Sequence, residues 1–409
     1  MKNLLLISYS FPPARNVGAL RPRGIAKYLP YYGWKVFVLT PLLGIPRDSQ
    51  YNMVETYPPF RERMGYLRKK LYFDFSQIIS HPPLYKIFLS NFSEIVPFPD
   101  TKKGWVVHGV YAGKYVIEKE SISAIISTCS PISCHTIAHK LKKIFPQLVW
   151  VADFRDLWAH NPFHKHTRPT QFLKETVEKK LLENADFITT VSEPLADHLR
   201  RFHNKETFSI PNGFDPDEYN FDAQVDQKFS ITYTGSIYPE ERDPELLFIA
   251  LRKLISGDSR IEEDIEVNFF CRYNAALDEL IRKYNLDKVV HQNGIVAREN
   301  VIKIQKSSHI LLLLLPEDKG VYTGKLFEYL GAKRPVLAIG YNQSVVKNLL
   351  EETGAGIFCW EEQQVYQTLK IWYQEWKTRK IIRFKGNDEI IDKYSHKSMA
   401  EKFASILKV

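Results

Sequence analysis

The sequence predicts an α/β protein made of two doubly wound, Rossmann-like domains, each with a parallel sheet between layers of helices. Short apolar segments typical of buried strands alternate with longer segments of helical periodicity, which is the pattern of βαβ units. This alternation occurs twice, and a segment rich in turn residues separates the two halves. The length of 409 residues also exceeds what a single hydrophobic core normally supports.

In each half, strand-like and helix-like segments follow one another in regular order. The first half has predicted strands at 4–7, 35–39, 124–127 and 149–152, with helices at about 21–31 and 134–144. The second half has predicted strands at 230–233, 266–270, 289–291, 310–315 and 336–339, with helices at about 244–255, 275–284 and 324–330. Because parallel strands need long crossover connections, both halves are expected to form parallel sheets.

The boundary between the halves lies where Pro211, Asn212, Gly213 and Pro216 favour turns. We therefore place a first domain at 1–210, a linker at 211–228 and a second domain at 229–390. A loosely patterned insert at about 44–103 interrupts the first domain. The last segment, 391–409, is expected to form a helix that packs back on the first domain.

The composition indicates a protein of the reducing cytoplasm. The apolar segments at 4–7 and 310–315 are far shorter than the roughly 20 residues that span a bilayer. The formal charge of +9 suits nucleic acid, anionic lipid or phosphorylated substrates, but the basic residues are dispersed without a nucleic-acid recognition motif, so we expect no nucleic-acid partner. No CxxC pair or zinc-type spacing occurs among the four cysteines, Cys129, Cys134, Cys271 and Cys359.

The insert contains a basic cluster among aromatic residues. A helix with this composition could lie on anionic lipid at the inner face of a cell membrane. It could equally be a solvated helix with one apolar face against the core. Both interpretations stay open for the cluster, which consists of Arg61, Arg63, Arg68, Lys69 and Lys70.

The segment after the apolar run at 310–315 has the features of a nucleotide site. Thr323 is a candidate N-cap, Gly324 lets a ligand approach the backbone, and Lys325 adds charge to the positive end of a helix. Glu328 lies on the same helix face, where its carboxylate can accept hydrogen bonds from two vicinal hydroxyls of a ribose. The alternative is a surface Lys–Glu pair. Ligands of parallel sheets bind at the carboxyl ends of the strands, which favours the nucleotide site.

The equivalent edge of the first half carries Gly18 and Arg21 after a proline-stiffened loop. Gly18 permits a close backbone approach, and the Arg21 guanidinium can bind an anion. We therefore assign both to donor binding. The GxGxxG fingerprint is absent, which argues against a dinucleotide-dependent dehydrogenase.

Charged residues also follow the predicted strand at 149–152. Asp153 or Asp156 could accept the proton of an acceptor hydroxyl, and Arg155 could bind phosphate. Trp158 and His160 follow in a loop expected to face an acceptor. An Asp N-cap, an internal Arg–Asp pair and a plain basic loop are the structural alternatives.

His135 and His139 have the spacing of metal ligands on a helix, but no third ligand stands near them in the sequence. One-sided helix polarity explains them better. We expect no metal site and no cofactor.

Over nearly its whole length the chain resembles the GT4-type glycosyltransferases, which have the GT-B fold. Each motif alone is unspecific, and their order along the chain carries the resemblance. The motifs are the Phe11-Pro12-Pro13 loop with Gly18 and Arg21, the segment 152–158, Thr190-Val191-Ser192, the segment 210–215, Tyr233-Thr234-Gly235-Ser236, and the segment 325–329.

The resemblance implies that the second domain binds the nucleotide, the first binds the acceptor, and the chemistry occurs in a cleft between them. It also implies transfer without a metal and with retained anomeric configuration. Donor contacts carried over from the family fall on Gly235, Ser236 and Arg242, the last being the one charged member of a pair that is basic in the family. Gly320 stands where the family has its upstream glutamate, eight positions before Glu328.

These observations predict a glycosyltransferase that moves a sugar from a nucleoside diphosphate sugar to a hydroxyl of a glycan. A polyprenyl-diphosphate-linked acceptor at the membrane, in surface polysaccharide or glycoconjugate synthesis, is the preferred acceptor. One alternative is a sugar-nucleotide epimerase or hydrolase of the same fold. The other is a non-catalytic module that binds nucleotide or glycan.

Overall fold

The computed structural model describes residues 1–14, 16–42, 50–59, 62, 98–161, 166–237, 242–316, 320–341 and 344–408. The chain divides into two compact units, one comprising Met1–Asn212 with His396–Val409 and the other Gly213–Ser395. The basic cluster of the insert, from Arg61 to Lys70, lies outside the described residues. In the part of the chain described, no helix combines the length and the apolar character needed to cross a membrane.

The first unit is built on a parallel sheet in which seven strands are described. Their order is β3-β2-β1-β4-β5-β6-β7, so the chain starts in the middle and winds outwards in both directions. Leu4, Leu5 and Leu6 of β1 have no exposed surface, as expected for a central strand covered on both faces. The strands are β1 (Lys2–Ile7), β2 (Trp34–Pro41), β3 (Asn52–Thr56), β4 (Ile122–Cys129), β5 (Val149–Phe154), β6 (Phe187–Thr190) and β7 (Thr207–Ser209).

Helices connect these strands and cover the sheet. Their apolar faces carry the core residues, such as Ile25 of the first helix and Ile137 of the third. The helices are α1 (Leu20–Tyr28), α2 (Trp105–Lys119), α3 (Ser133–Ile144), α4 (Arg168–Leu182) and α5 (Glu193–His203).

The second unit has a parallel sheet with strand order β10-β9-β8-β11-β12-β13. As in the first unit, the first strand lies in the middle of the sheet, and the chain adds strands on one side before it crosses to the other. Both units therefore have the doubly wound strand order. The strands are β8 (Phe229–Thr234), β9 (Ile265–Phe270), β10 (Val290–Gln292), β11 (Ile310–Leu314), β12 (Val336–Ile339) and β13 (Gly356–Cys359). The predicted fold class, two parallel-sheet Rossmann-like domains, is confirmed.

The helices of the second unit alternate with its strands. They are α6 (Glu245–Gly257), α7 (Ile261–Asp264), α8 (Ala275–Lys283), α9 (Arg298–Ser307), α10 (Gly324–Ala332), α11 (Val345–Thr353), α12 (Glu362–Arg379) and α13 (Asp388–Asp392). In each unit the strand order reverses beside the first strand, next to β4 in the first and next to β11 in the second. Such switch points are where doubly wound sheets bind ligands.

The last helix, α14 (His396–Ile406), belongs to the first unit. Its buried residues Met399, Ala400 and Phe403 join the same core as Ile25 of α1. The two helices approach closely at Gly24, where an added Cβ would lie 2.5 Å from Cγ of His396. A glycine is therefore required at this contact.

Candidate functional site

The N-terminus of α10 lies at the switch point of the second unit. The chain leaves the fully buried strand β11 and enters the helix at Gly324, with Thr323 in extended backbone geometry at the N-cap position. The Thr323 side chain makes no capping hydrogen bond. A helix N-terminus at the carboxyl end of a central strand directs backbone N–H groups and the positive end of the helix dipole towards a ligand.

Lys325 lies against the turn that follows β8. Its ammonium is 5.0 Å from the ring centroid of Tyr233, and a Cβ added to Gly235 would lie 2.6 Å from the Lys325 Cε. Gly235 also has a φ of +107°, which side chains rarely tolerate. The predicted donor residue Gly235 thus makes room for Lys325.

The surroundings of Lys325 disfavour its charged form. Burial lowers the pKa of Lys325 to about 8, and the positive charge of Arg242 lowers it further than the negative charge of Glu328 restores it. Two cations and a helix N-terminus therefore occupy one region of the second unit. An anionic ligand would relieve this repulsion and return the pKa towards its ordinary value.

Glu328 lies one turn further along α10, and its side chain is 17% exposed. Its Oε1 accepts a hydrogen bond from Nη1 of Arg298 at 2.8 Å, and its Oε2 accepts one from Nε2 of Gln305 at 3.2 Å. The carboxylate is therefore held by two donors of one helix, α9. This arrangement differs from the surface Lys–Glu pair that was the alternative.

Arg298 bridges two carboxylates of the second unit. Its Nη2 donates to Oε2 of Glu218 at 3.0 Å while its Nη1 contacts Glu328. Burial opposes the charge, but Glu328 and Glu218 together raise the pKa of Arg298 above its usual value. From the sequence alone Arg298 is more readily interpreted as a solvated arginine. The seven-residue spacing of Arg298 and Gln305, which puts both on one helix face, is the signal that identifies it.

Two further turn residues differ in what they contribute. Ser236 is exposed and accepts a hydrogen bond on its backbone carbonyl from the Tyr233 hydroxyl at 2.6 Å. Gly320 has a φ of +72°, in the left-handed region. A glutamate at Gly320 would be strained in this backbone.

In the first unit, Arg21 and Asp153 form a buried ion pair, with side chains 3% and 0% exposed. Arg21 Nη2 lies 2.7 Å from Asp153 Oδ1, and its Nη1 donates to the carbonyls of Ile210 and Pro211. The predicted roles of Arg21 in donor binding and of Asp153 as a base are corrected here. Both groups are buried and satisfied within the first unit, because Arg21 of α1 ties β5 to the segment at 210–211.

Hydrogen bonding also removes Asp153 from proton transfer. It accepts from the hydroxyls of Thr128 and Thr189 at 2.9 and 2.8 Å. Burial alone would raise the pKa of Asp153, but the charge and hydrogen bonds of Arg21, helped by both threonines, lower it below the usual value. Such a carboxylate is a poor proton acceptor.

Arg155 is occupied by backbone carbonyls. Its guanidinium donates to Cys129 at 3.1 Å and Ser130 at 2.6 Å, and also to Gly18. A Cβ at Gly18 would lie 2.6 Å from Nη1 of Arg155, so Gly18 serves this contact. Arg155 and Gly18 thus brace this loop, while phosphate binding by Arg155 and donor approach at Gly18 stay predictions. Asp156, the neighbouring candidate, is exposed.

Trp158 and His160 face helix α4. Lys174 lies 4.9 Å from the Trp158 ring centroid and donates to the Trp158 carbonyl at 3.0 Å. His160 Nε2 is 3.0 Å from Oε1 of Glu175. These contacts hold the loop after β5 against α4. The predicted contact of Trp158 and His160 with an acceptor stays a prediction.

Metal ligands are not assembled in the described residues. No three His, Cys, Asp or Glu side chains are grouped there so as to hold an ion. His135 of α3 is fully buried with its Nδ1 2.8 Å from the Ser127 hydroxyl, and burial lowers the pKa of His135 to about 3. Its place in the core accounts for His135, whereas His139 on the same helix is half-buried.

Comparisons with known proteins agree with this architecture. Residues 23–218, just under half of the chain, match the sequence model of Glycosyltransferase Family 4. The chain is similar to sucrose-phosphate synthase from Thermosynechococcus elongatus, with 15% identity, a TM-score of 0.64, and coverage of 100% of this chain and 98% of that one. A comparison with curated proteins finds no match.

Two other solved structures share the fold. The HepE protein of Anabaena in complex with UDP is 14% identical with a TM-score of 0.62, and each chain is covered completely. A glycosyltransferase from Rickettsia africae is 13% identical with a TM-score of 0.59, with 100% of this chain and 98% of that chain covered. The two parallel-sheet units have the fold of these glycosyltransferase structures, which is the GT-B fold that the sequence predicts. The family match over residues 23–218 agrees with the resemblance to GT4-type glycosyltransferases that the order of the sequence motifs predicts.

Proposed function

We propose that this enzyme binds the nucleoside diphosphate part of a sugar donor at the N-terminus of α10 and transfers the sugar to a hydroxyl acceptor. The observation that carries the proposal is the position of Lys325, which is half-buried beside Arg242 at a helix N-terminus. A diphosphate would bring negative charge next to these two cations and the helix N-terminus. The donor-site predictions for Thr323, Gly324 and Ser236 belong to the same proposal.

Glu328 is proposed to bind the donor ribose. Its carboxylate is oriented by Arg298 and Gln305 and stays partly exposed, so its remaining lone pairs can accept hydrogen bonds from hydroxyls. The HepE structures that contain UDP, one of them with glucose also, make a uridine nucleotide the first donor to test.

The transfer is proposed to need no metal. As the bond to the sugar breaks, charge develops on the diphosphate, and Lys325, Arg242 and the helix-end amides can stabilise that charge in place of a cation. Retention of anomeric configuration is part of the proposal on the strength of the family resemblance. Asp156 stays a candidate for contact with the acceptor hydroxyl.

The proposed acceptor is a glycan, preferably linked to polyprenyl diphosphate, in surface polysaccharide or glycoconjugate synthesis. The net charge of +9 supports contact with anionic lipid, and so does the composition of the insert. Binding to anionic liposomes at low salt tests this part. The membrane proposal fails if the protein does not bind, or if neutralising Arg68, Lys69 and Lys70 leaves activity on lipid-linked acceptors unchanged.

A thermal-shift screen with UDP, GDP, ADP and their sugars, with and without EDTA, tests donor binding. A tight ligand raises the melting temperature by mass action, and the increase should persist in EDTA. Lys325→Met should abolish most of the shift, whereas Lys288→Met is the matched control because Lys288 is 80% exposed. Isomerisation or rapid hydrolysis of the nucleotide sugar without acceptor would indicate the epimerase or hydrolase instead. Nucleotide binding without turnover on any acceptor would indicate the non-catalytic module.

A further inference from the structure

Helix α9 directs two hydrogen-bond donors at one carboxylate of α10. Arg298 and Gln305 are two turns apart on α9, so both face the same neighbour. Arg298 donates to Oε1 of Glu328 at 2.8 Å and Gln305 donates to Oε2 at 3.2 Å. Each oxygen thus has one donor, and the plane of the carboxylate is fixed.

Both donors are themselves held in place. Gln305 is fully buried; its Nε2 also donates to the Thr234 hydroxyl at 3.0 Å, and its Oε1 accepts from the Tyr219 hydroxyl at 3.5 Å. The other arm of Arg298 donates to Glu218 on the 3₁₀ turn Pro216–Tyr219. Neither donor can rotate away without losing a second hydrogen bond.

The number of lone pairs limits what Glu328 can still accept. An ionised carboxylate offers about four lone-pair positions on two oxygens, and the contacts with α9 use one on each oxygen. One acceptor position therefore remains on each oxygen. Two acceptors on neighbouring oxygens match two adjacent hydroxyls, whereas a rotated carboxylate would present only one to such a pair.

We propose that Arg298 is a positioning residue which, with Gln305, sets both oxygens of Glu328 to receive the 2′- and 3′-hydroxyls of the donor ribose. This inference rests on the proposed function, because it requires a nucleotide at α10. Arg298 acts through Glu328 and does not itself contact the ribose. It therefore determines selectivity for ribose over deoxyribose.

The test compares each ribonucleotide with its 2′-deoxy counterpart by calorimetry, using UDP and dUDP, GDP and dGDP, and ADP and dADP. Loss of one hydrogen bond to a charged group should weaken binding of the deoxy form by about tenfold or more in the wild type. In Arg298→Met that preference should fall to about twofold or less. Without Arg298 the Glu328 carboxylate can rotate, and it then accepts a hydrogen bond from only one ribose hydroxyl. Arg298→Lys should restore part of the preference, because a lysine can contact Oε1 but cannot also hold Glu218.

A purely structural role for Arg298 gives a different result. It would weaken ribo and deoxy forms by the same factor and leave their ratio unchanged, which would overturn the inference. Arg282→Met is the matched control, because Arg282 pairs with Asp278 on the exposed side of α8 and should leave the ratio unaltered. Melting temperatures identify any variant that fails to fold, and Arg298→Lys then carries the comparison.

Failure of this inference can be distinguished from failure of the proposed function. If the wild type binds none of the six nucleotides, the proposed function and the inference both fail. If it binds a ribonucleotide with the preference expected and Arg298→Met keeps that preference, only the inference fails. If the wild type binds both sugar forms equally, Glu328 does not select the ribose and the inference fails while the diphosphate site stands.

Discussion

The ends of the central strands carry charged residues in both units, but the charges are used differently. In the first unit Arg21 and Asp153 are almost completely buried and satisfied by each other and by neighbouring backbone and hydroxyl groups. In the second unit Lys325 is held beside another cation, and Glu328 keeps part of its surface exposed. Charged residues near the strand ends thus form a closed ion pair in one unit, and in the other they place two cations side by side near a partly exposed carboxylate.

This difference teaches how a binding residue is distinguished from a structural one. A buried ion pair with all hydrogen bonds made has nothing left for a ligand, however well its residue types suit one. A cation whose pKa is depressed near a helix N-terminus is stabilised when an anion binds beside it. The number of hydrogen-bond partners and the exposed fraction of a charged side chain therefore indicate ligand binding better than its residue type does.

The largest effect is expected from breaking the closed pair. Asp153→Asn leaves the buried Arg21 without its counter-charge, which should cost about 3–5 kcal/mol of unfolding free energy. Urea denaturation of the variant and the wild type measures the loss. Asp197→Asn, which breaks the exposed pair with Arg200 on α5, should cost less than about 1 kcal/mol. A loss as small for Asp153→Asn would contradict the buried pairing.

The next effect concerns the open site. Glu328→Ala should weaken binding of the nucleoside diphosphate by about 1.5–3 kcal/mol, which is typical of lost hydrogen bonds to a charged group. Its effect on stability should be smaller than that of Asp153→Asn, since Arg298 keeps Glu218 as a partner. Calorimetry measures the affinity, with Asp278→Ala as the control on the surface of α8. Equal affinities of Glu328→Ala and wild type would remove Glu328 from the site.

Much of the architecture is predictable from the sequence because it depends on periodicity. Apolar runs such as 4–7 and 310–315 mark central strands, and the helix at Gly324 begins where Thr323 and the glycine indicate. These are local signals, which one chain displays directly. The family resemblance added the order of the motifs, and the sequence model of Glycosyltransferase Family 4 agrees with it.

The partners of charged side chains could not be predicted in the same way. Arg21 and Asp153 are separated by 132 positions, and nothing local shows that they meet. Nothing in the sequence around Arg298 shows that it pairs with Glu328, because Glu328 is on another helix. Long-range pairing depends on how strands and helices pack, so the sequence alone does not separate the buried charged residues from the exposed ones.

A third effect uses the depressed pKa of Lys325, which is about 8. Below this pH the ammonium is charged and attracts diphosphate; above it the charge is lost, so nucleotide affinity should fall as pH rises through about 8. The free energy of unfolding without ligand should rise over the same pH range. Between about pH 8 and 10.5 the unfolded chain binds more protons at this lysine than the folded chain does, so raising the pH favours the folded chain.

Calorimetry with UDP from pH 7 to 9.5 and denaturation over the same range measure the two trends. Lys325→Met should remove the pH dependence that this lysine contributes to both, whereas Lys288→Met should keep it. A nucleotide affinity that does not decrease above pH 8 in the wild type would exclude Lys325 as the diphosphate contact.

The smallest effect on stability is expected at Asp156, and it sharpens the comparison within the first unit. Asp156 is exposed whereas Asp153, three positions earlier, is buried, so Asp156→Asn should change the free energy of unfolding by less than about 0.5 kcal/mol. Any change in the activity of this variant therefore reports on the sugar transfer and not on a loss of folding. A fall in kcat for sugar transfer, with nucleotide affinity unchanged, would place Asp156 at the acceptor hydroxyl. An unchanged kcat would exclude it as the base and leave that role to a residue other than Asp153 or Asp156.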